Sequence, residues 1–308
     1  IGRMVLRAII ENNIKELEVT AINNRGNAEV SSFLLKHDTV HGKFKAKINH
    51  SEKSIEINGK KINMIHEMEI SKIDWKKYKV DVVLECTGKF NTKEKSAQHI
   101  KSGAKKVLVS APCKDAINII FGVNQKILKN SDQVISAASC TTNCLAPVAK
   151  VINDNFGIET GFMTTIHSYT ADQKLLDNSH KDLRRARSAP NSIIPTTTGA
   201  TKSLGDVIPE LKGKVEGISI RVPTPNVSLV EFVFSSKKNL SVEEINNSLS
   251  KASKSELKNI LDTSNEQLIS ADFNHNPHSA IVDLSLTKVI EAKMAKVSAW
   301  YDNEWGFA

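Results

Sequence analysis

Apolar residues in the first half of the chain recur at helical spacing in some segments and form short continuous runs in others. The helical segments are Met4–Ile14, Glu29–His37 and Glu94–Ser102, and the strand-like runs are Leu17–Ile22, Lys79–Cys86 and Val107–Ser110. Strands that are apolar throughout are typical of a parallel sheet covered on both faces. Such sheets bind ligands at the carboxyl ends of their strands. The pattern predicts a doubly wound α/β domain over residues 1–138.

The pattern changes after residue 138. A helix is predicted from Ser139 to Asn155 and another, with a Ser cap, from Ser241 to Lys254; strands are predicted at Gly161–His167, Gly217–Pro223 and Ser228–Ser235. The last two alternate, as strands of an antiparallel sheet do. Residues 139–308 are therefore predicted to form an α+β domain with a mostly antiparallel sheet.

Length and composition indicate a soluble globular protein. With 308 residues, 40% hydrophobic and 25% charged, the chain is long enough for two domains. No apolar run approaches the ~18 residues that span a bilayer. Ile1–Ile10 carries two arginines among apolar residues, but an amphipathic helix explains it better than a targeting segment.

The net charge of +8 is compatible with nucleic-acid binding. The lysines are scattered along the chain, however, and a solvated surface with anionic small ligands explains the charge as well. We expect no dedicated nucleic-acid site, and a secondary RNA-binding or surface-binding role stays an alternative.

The four cysteines do not form a disulfide framework in a chain of this size, which indicates a reducing, cytoplasmic compartment. Cys86 is predicted to lie in the core. Cys144 follows Cys140 by four residues on the same helical face, where packing or support of a nucleophile are both open. No metal site is expected, because the histidines and cysteines lack ligand spacing.

Cys140 is the candidate nucleophile. It stands at a predicted helix N-terminus, where the helix dipole stabilises a thiolate. His167 closes the next strand, and its imidazolium would lower the thiol pKa further and donate to an oxyanion. The pair alone is weak evidence, since a buried structural cysteine is the more common case.

Six motifs, spread in order over the chain, resemble glyceraldehyde-3-phosphate dehydrogenase. They are SAASCTTNCLAPVAK (136–150), TTIHSYTADQ (164–173), HKDLRRAR (180–187), PTTTGAT (195–201), RVPTPNVS (221–228) and WYDNEWGF (300–307). The resemblance implies a homotetramer that oxidises D-glyceraldehyde 3-phosphate to 1,3-bisphosphoglycerate in glycolysis or gluconeogenesis. Inorganic phosphate and NAD or NADP are the other reactants.

The resemblance also implies roles for individual residues. Cys140 resembles the thiolate that forms the thiohemiacetal and thioester, and His167 its base and oxyanion partner. Arg221 and Thr170 resemble the ligands of the substrate phosphate. The remaining phosphate-binding positions are Ser139, Thr141, Thr198 and Gly199, with Arg185 adding charge.

Cofactor-binding positions follow from the same resemblance. Asn303 resembles the residue that orients the nicotinamide carboxamide, although an ordinary aromatic core turn is the alternative for Tyr301–Trp305. The other positions are Ile1, Asn24, Arg25, Thr87, Gly88, Ser110 and Ser179.

The sequence departs from the family pattern at its ends and beside the adenosine position. The first strand and its glycine-rich turn are absent up to Ile1, and so is a helix after Phe307, so we expect the sequence to belong to a longer protein. Asn24, followed by Arg25, stands where NAD-specific members have the aspartate that repels a 2′-phosphate, and Ser179 stands where NADP-using members have serine. Acceptance of NADP is therefore predicted.

The nearest rival is erythrose-4-phosphate dehydrogenase, which hydrolyses its thioester. That family alters the positions of Thr170, Thr198 and Gly199, which are intact here. The sequence thus favours the phosphorylating enzyme.

Overall fold

The computed structural model describes residues 1–308, which form two compact units. Unit 1 comprises Ile1–Ile117, Lys129–Ala137 and Ala308, and unit 2 comprises Asn118–Leu128 and Ala138–Phe307. No helix is both long enough and apolar enough to cross a membrane.

Unit 1 is an α/β unit with three helices. They are α1 Gly2–Glu11, α2 Ala28–Lys36 and α3 Lys93–Lys101. Its strands are β1 Ala21–Asn23, β2 His37–Asp38, β3 Gly42–Lys43, β4 Ile48–Ser51, β5 Ser54–Ile57, β6 Lys60–Ile65, β7 Val82–Glu85, β8 Lys106–Val109 and β10 Val134–Ser136; β9 Ile117–Asn118 lies where the chain passes into unit 2.

Two sheets organise unit 1. The first sheet has the strand order β1-β6-β5-β4. The second sheet has the order β7-β8-β10-β9, and its strands β7, β8 and β10 pair in parallel. In that first sheet only β1 and β6 are parallel. The predicted helices are confirmed, including the amphipathic α1, which buries Met4 and Leu6. The predicted strand over Leu17–Ile22 is shifted, because only Ala21–Asn23 pairs with β6.

The antiparallel strands β4 to β6 were not predicted. Two two-residue turns connect them, and the second is Asn58-Gly59, with φ of 51° and 83°. Positive φ at both residues is the geometry of a type I′ turn, which matches the twist of a hairpin. The dipeptide Asn-Gly was the signal in the sequence for this hairpin.

Strand β7 also differs from the prediction of an apolar strand covered on both faces. Val83 and Glu85 are buried, whereas Val82 and Leu84 are exposed, because only one face packs on the core of this sheet. The strand ends at Glu85, so Cys86 is half-buried and outside the core, contrary to its predicted place.

Unit 2 is an α+β unit with one large sheet. Its helices are α4 Cys140–Phe156, α5 Ala200–Val207 and α6 Val242–Lys254. Its strands are β11 Ile158–Ser168, β12 Ile194–Thr196, β13 Val215–Val222, β14 Ser228–Ser236, β15 Leu261–Ser264, β16 Ala280–Asp283, β17 Lys288–Ile290 and β18 Met294–Tyr301.

The sheet of unit 2 has the order β12-β13-β11-β14-β18-β16-β15, with β17 on β18. Only β11 with β13 and β15 with β16 are parallel pairs, so the prediction of a mostly antiparallel sheet is confirmed. Helix α4 packs on this sheet through a fully buried face that includes Leu145 and Ile152. The α/β and α+β fold classes are both as predicted.

Candidate active site

Cys140 is the first residue of α4, as the sequence predicts. Ser139 caps the helix in an extended conformation, and its hydroxyl accepts a hydrogen bond from the backbone N–H of Thr142 at 3.1 Å. Capping by serine satisfies one of the free N–H groups of a helix start and fixes where the helix begins. The thiol therefore stands in the first turn, where backbone N–H groups point towards the helix end.

His167 lies beside this thiol, near the end of β11. Its Nε2 is 3.5 Å from Cys140 Sγ. Its Nδ1 is 2.6 Å from the backbone carbonyl of Ser168. A carbonyl only accepts, so in this contact Nδ1 carries the proton and Nε2 offers a lone pair to the thiol. The guanidinium nitrogen of Arg221 that lies 3.0 Å from Nδ1 then donates to the Ser168 carbonyl and not to the ring. This tautomer suits a base that removes the thiol proton.

The protonation states of Cys140 and His167 differ from those that the sequence predicted. Burial, together with the charge of Arg221, lowers the pKa of His167 to about 3. Burial raises the pKa of the Cys140 thiol, against the lowering effects of Arg221 and of the N–H and hydroxyl of Thr141. The expected imidazolium and lowered thiol pKa are thus wrong for the free protein, because desolvation disfavours a charge on either partner.

Arg221 is held against the same pair by strand pairing. It is opposite His167 in the parallel register of β13 and β11. One guanidinium nitrogen donates to the Ser168 carbonyl at 2.9 Å and lies 3.0 Å from Nδ1 of His167. Its Nε is buried without a partner in the protein. An unpaired buried guanidinium N–H is a donor available to an anion.

The residues between β11 and α5 supply further polar groups. Arg185 donates to the Thr196 hydroxyl at 2.9 Å, to the Thr197 carbonyl at 3.1 Å and to Asp172 at 2.8 Å. Its charge is thus already partly compensated by Asp172. The Thr170 side chain makes no hydrogen bond within the protein, and Thr198 accepts from the N–H of Ala200 at 3.2 Å.

Gly199 caps α5, and a Cβ built on it would meet no atom within 4 Å. The backbone there is open, so the N–H groups of the first helical turn can be approached by an anion. Thr141 contrasts with it: its side chain is buried, and its hydroxyl is 2.9 Å from that of Tyr301. The Thr141 hydroxyl is therefore not free to rotate towards a new ligand.

In unit 1, the predicted cofactor positions lie at strand ends. Thr87 and Gly88 follow β7 after one intervening residue, Cys86, and Ser110 follows β8 directly. The parallel pairing of β7 with β8 brings these carboxyl ends to one edge. Ser110 donates its N–H to the Glu85 carbonyl at 3.0 Å. Gly88 has a φ of +70° and open space around it. Exposed backbone at this edge suits a dinucleotide phosphate or ribose.

The adenosine-side residues lie after β1. Asn24 donates to Ser31 at 3.0 Å and accepts from the N–H of Arg25 at 2.8 Å. Arg25 is exposed and makes no ion pair, and Ile1 caps α1. This donor set fits a ribose, and the lack of a carboxylate at Asn24 leaves Arg25 uncompensated.

Two predicted cofactor positions belong to unit 2. Asn303 is buried, and its side-chain carbonyl accepts from Ser228 at 2.8 Å while its amide N–H groups stay free. A fixed amide with free donors fits a carboxamide oxygen. Ser179 is exposed and makes no side-chain hydrogen bond.

A buried polar network behind Thr87 was missed in the sequence. Trp75 Nε1 donates to His99 Nδ1 at 3.1 Å, so the other ring nitrogen carries the proton and donates to Glu85 at 3.1 Å. The second oxygen of Glu85 accepts from the Thr87 N–H at 2.7 Å and from its hydroxyl. The one available signal was Glu85, a carboxylate inside an apolar strand. No group of three or more His, Cys, Asp or Glu side chains is arranged to hold a metal ion.

Comparison with known proteins identifies the family. The model for the NAD binding domain of glyceraldehyde 3-phosphate dehydrogenase matches residues 1–93, and that for its C-terminal domain matches residues 139–303. The glyceraldehyde-3-phosphate dehydrogenase of Cereibacter sphaeroides is 51% identical over all of this chain and 92% of its own length. Those of Bacillus subtilis (number 2) and Geobacillus stearothermophilus are each 49% identical, over all of this chain and 91% and 92% of their own lengths. The chain belongs to the glyceraldehyde-3-phosphate dehydrogenase family.

Proposed function

We propose that the protein oxidises D-glyceraldehyde 3-phosphate to 1,3-bisphosphoglycerate, with NAD as the hydride acceptor and inorganic phosphate as the acyl acceptor. The observation that carries this proposal is the 3.5 Å contact between Cys140 Sγ and the unprotonated Nε2 of His167. A thiol whose proton has a nearby acceptor is a competent nucleophile for an aldehyde.

Cys140 and His167 perform the acyl chemistry. His167 Nε2 takes the thiol proton, the sulfur bonds to the aldehyde carbon, and the same proton passes to the former aldehyde oxygen, giving a thiohemiacetal and a neutral imidazole. The bound nicotinamide supplies the acceptor for the hydride of that carbon. As the hydride leaves, His167 Nε2 accepts the hydroxyl proton of the thiohemiacetal and releases it to solvent, so a thioester remains on Cys140. Attack by phosphate breaks the carbon–sulfur bond and returns the thiolate.

Two sets of groups are proposed to hold the anionic reactants. Arg221, with its unpaired Nε, and Thr170, with its free hydroxyl, would bind the phosphate of the substrate. The attacking phosphate would meet the open helix start at Gly199 and the hydroxyl groups near it. Ser139, Thr141 and Thr198 complete this set, and Arg185 adds charge that Asp172 moderates.

The Thr141 contribution is proposed for its backbone N–H, because its hydroxyl is bonded to Tyr301. Ile1, Asn24, Arg25, Thr87, Gly88 and Ser110 of unit 1, with Ser179 and Asn303 of unit 2, are the proposed ligands of the cofactor.

Phosphate dependence tests the proposed function. We expect aldehyde-dependent reduction of NAD to continue through many turnovers in phosphate buffer and to stop after about one turnover without phosphate or arsenate, because the thioester persists. The measurement is absorbance at the reduced nicotinamide band. Equal steady-state rates with and without phosphate would instead favour hydrolysis of the thioester, as in erythrose-4-phosphate dehydrogenases.

We also propose that NADP is accepted. Asn24 removes the carboxylate that would repel a 2′-phosphate, and the exposed Arg25 can pair with it. The kcat/KM for NADP should lie within about a hundredfold of that for NAD, a window of ~2.7 kcal/mol. Asn24→Asp should lower the value for NADP at least about tenfold and leave that for NAD unchanged. A preference for NAD above a hundredfold in the unmodified protein would contradict this proposal.

Finally, we propose a homotetramer in the cytoplasm, where Cys140 stays reduced. The segment between β11 and α5 exposes four large apolar residues, which would be covered by another copy of the chain. They are Leu175, Leu176, Leu183 and Ile193. Light scattering should give four times the 33.9 kDa chain mass. Leu176→Asp should reduce that mass. A mass equal to that of a single chain in the unmodified protein would refute the tetramer.

A further inference from the structure

The hydroxyl of Tyr301 bridges two elements that carry the reactive pair. Tyr301 is the last residue of β18, and only 1% of it is exposed. Its hydroxyl is 2.9 Å from the Thr141 hydroxyl and 2.8 Å from the Thr165 hydroxyl. Both threonines are themselves buried, so neither hydroxyl can exchange this partner for water at low cost.

The two threonines are neighbours of the two reactive residues. Thr141 follows Cys140 in the first turn of α4. Thr165 precedes His167 by two residues on β11, so both side chains are on the same face of the sheet. The ring of Tyr301 also meets the imidazole of His167 edge to face, with centroids 6.0 Å apart. A single side chain thus contacts the start of α4 and the end of β11.

The number of hydrogens available shows which hydroxyl donates to which in the bridge formed by Thr141, Tyr301 and Thr165. Each hydroxyl has one hydrogen to donate. The Thr141 hydroxyl and its backbone N–H both lower the pKa of the Cys140 thiol, which burial raises. If the Thr141 hydrogen points at sulfur, the Thr141 oxygen must accept from Tyr301. Tyr301 in turn accepts from Thr165, so the three hydroxyls form one chain that ends on the sulfur.

We propose that Tyr301 is a positioning residue for the nucleophile: its hydroxyl directs the Thr141 hydrogen to the sulfur and holds Cys140 at its distance from His167. This inference rests on the proposed role of Cys140 as the nucleophile. The hydrogen-bond partners of the Tyr301 hydroxyl are Thr141 and Thr165, so Tyr301 acts on the sulfur through Thr141.

Other groups around the thiol bear on the same titration. His167 faces it from β11, Arg221 acts on it from β13, and the buried thiol of Cys144 lies one turn further along α4. Tyr301 acts from β18. Tyr301→Phe removes only the tyrosine hydroxyl and leaves His167, Arg221 and Cys144 chemically unchanged. A change in the titration of Cys140 in that variant therefore reports on the hydroxyl.

The test is the pH dependence of Cys140 alkylation by iodoacetamide, followed by peptide mass spectrometry on the full chain without substrate or cofactor. In Tyr301→Phe we expect the apparent pKa of Cys140 to rise by about one unit, which is about a tenfold loss of alkylation rate at neutral pH. Tyr78→Phe removes the same atom from a tyrosine of unit 1 and should leave the profile unchanged. Because no turnover is measured, this result does not depend on whether the proposed reaction is correct.

A second variant distinguishes an effect of the hydrogen-bonded hydroxyls of Thr165, Tyr301 and Thr141 from a general loss of packing. Thr165→Val is nearly isosteric and removes the far end of the chain, so it should shift the titration in the same direction by a smaller amount. If Tyr301→Phe does not fold, the titration of Cys140 in Thr165→Val tests the proposal on its own. In turnover, both variants should lower kcat and leave the KM for NAD unchanged. Unchanged alkylation profiles in the folded variants, even with a reduced Tm, would overturn the proposal.

Discussion

Replacing Cys140 by serine should abolish turnover, with kcat reduced at least about 10⁴-fold. A serine hydroxyl at this position keeps the helix start and the contact with His167 Nε2, but its proton is far harder to remove than that of a thiol. An alkoxide would also leave an ester, which phosphate displaces much more slowly than a thioester. Steady-state reduction of NAD with glyceraldehyde 3-phosphate and phosphate measures this effect.

Cys144→Ala is the matched control, because it removes a thiol four residues further along the same helix. Cys144 is fully buried in the core, and its thiol donates a hydrogen bond to the Ala299 carbonyl at 3.7 Å. We expect kcat within about threefold of the unmodified protein and a loss of stability of about 1 kcal/mol from the small cavity. Equal losses of kcat in both variants would mean that the helix, and not the Cys140 thiol, is what the reaction needs.

Replacing His167 by asparagine should lower kcat by about 10²- to 10⁴-fold. The asparagine amide can take the place of Nδ1 and still donate to the Ser168 carbonyl, whereas the lone pair of Nε2 is lost. The KM for the aldehyde should change little, because Arg221 keeps its own hydrogen bond to Ser168. The split between kcat and KM distinguishes a lost base from a disrupted binding site.

The pH profile offers a further check on His167. Its pKa of about 3 means that the imidazole is neutral, and its Nε2 available, at every pH above about 5. Activity should therefore rise with pH as the thiol ionises and show no loss from protonation of His167 near its ordinary range. His50→Asn, in an exposed position of β4, should leave both kcat and the pH profile unchanged. An identical loss of kcat in that control would refute the role of His167.

Local signals predicted most of the fold. Apolar periodicity located α2, α3 and α6 within two residues, and the Ser-Cys step located the start of α4. These features depend on neighbours in sequence, which is what periodicity and capping report. The hairpins of β4 to β6 were not predicted, because each strand is only four to six residues long, too short for a decisive pattern. Their apolar residues Ile55, Ile57, Ile62 and Met64 do alternate with polar ones and are buried. The Asn58-Gly59 dipeptide is the local signal in the sequence for the second of these hairpins.

The site was predictable only in part, for a physical reason. The motif around Cys140 and the strand that carries His167 near its end place both residues near each other through chain topology alone. The protonation of the pair was not predictable, since it depends on how deeply His167 is buried and on how close Arg221 lies to it. The sequence placed Arg221 at the site but gave neither quantity. Tyr301 touches a residue 160 positions away, and no local pattern contains such a contact.

The most direct test of the thioester on Cys140 is mass spectrometry of the protein after a single turnover. With glyceraldehyde 3-phosphate and NAD but no phosphate, an acyl adduct should appear on Cys140, two hydrogen atoms lighter than a simple addition product, and fragmentation should separate Cys140 from Cys144. Added phosphate should remove the adduct and release 1,3-bisphosphoglycerate. An adduct on another residue, or one on Cys140 that phosphate does not discharge, would contradict the proposed chemistry.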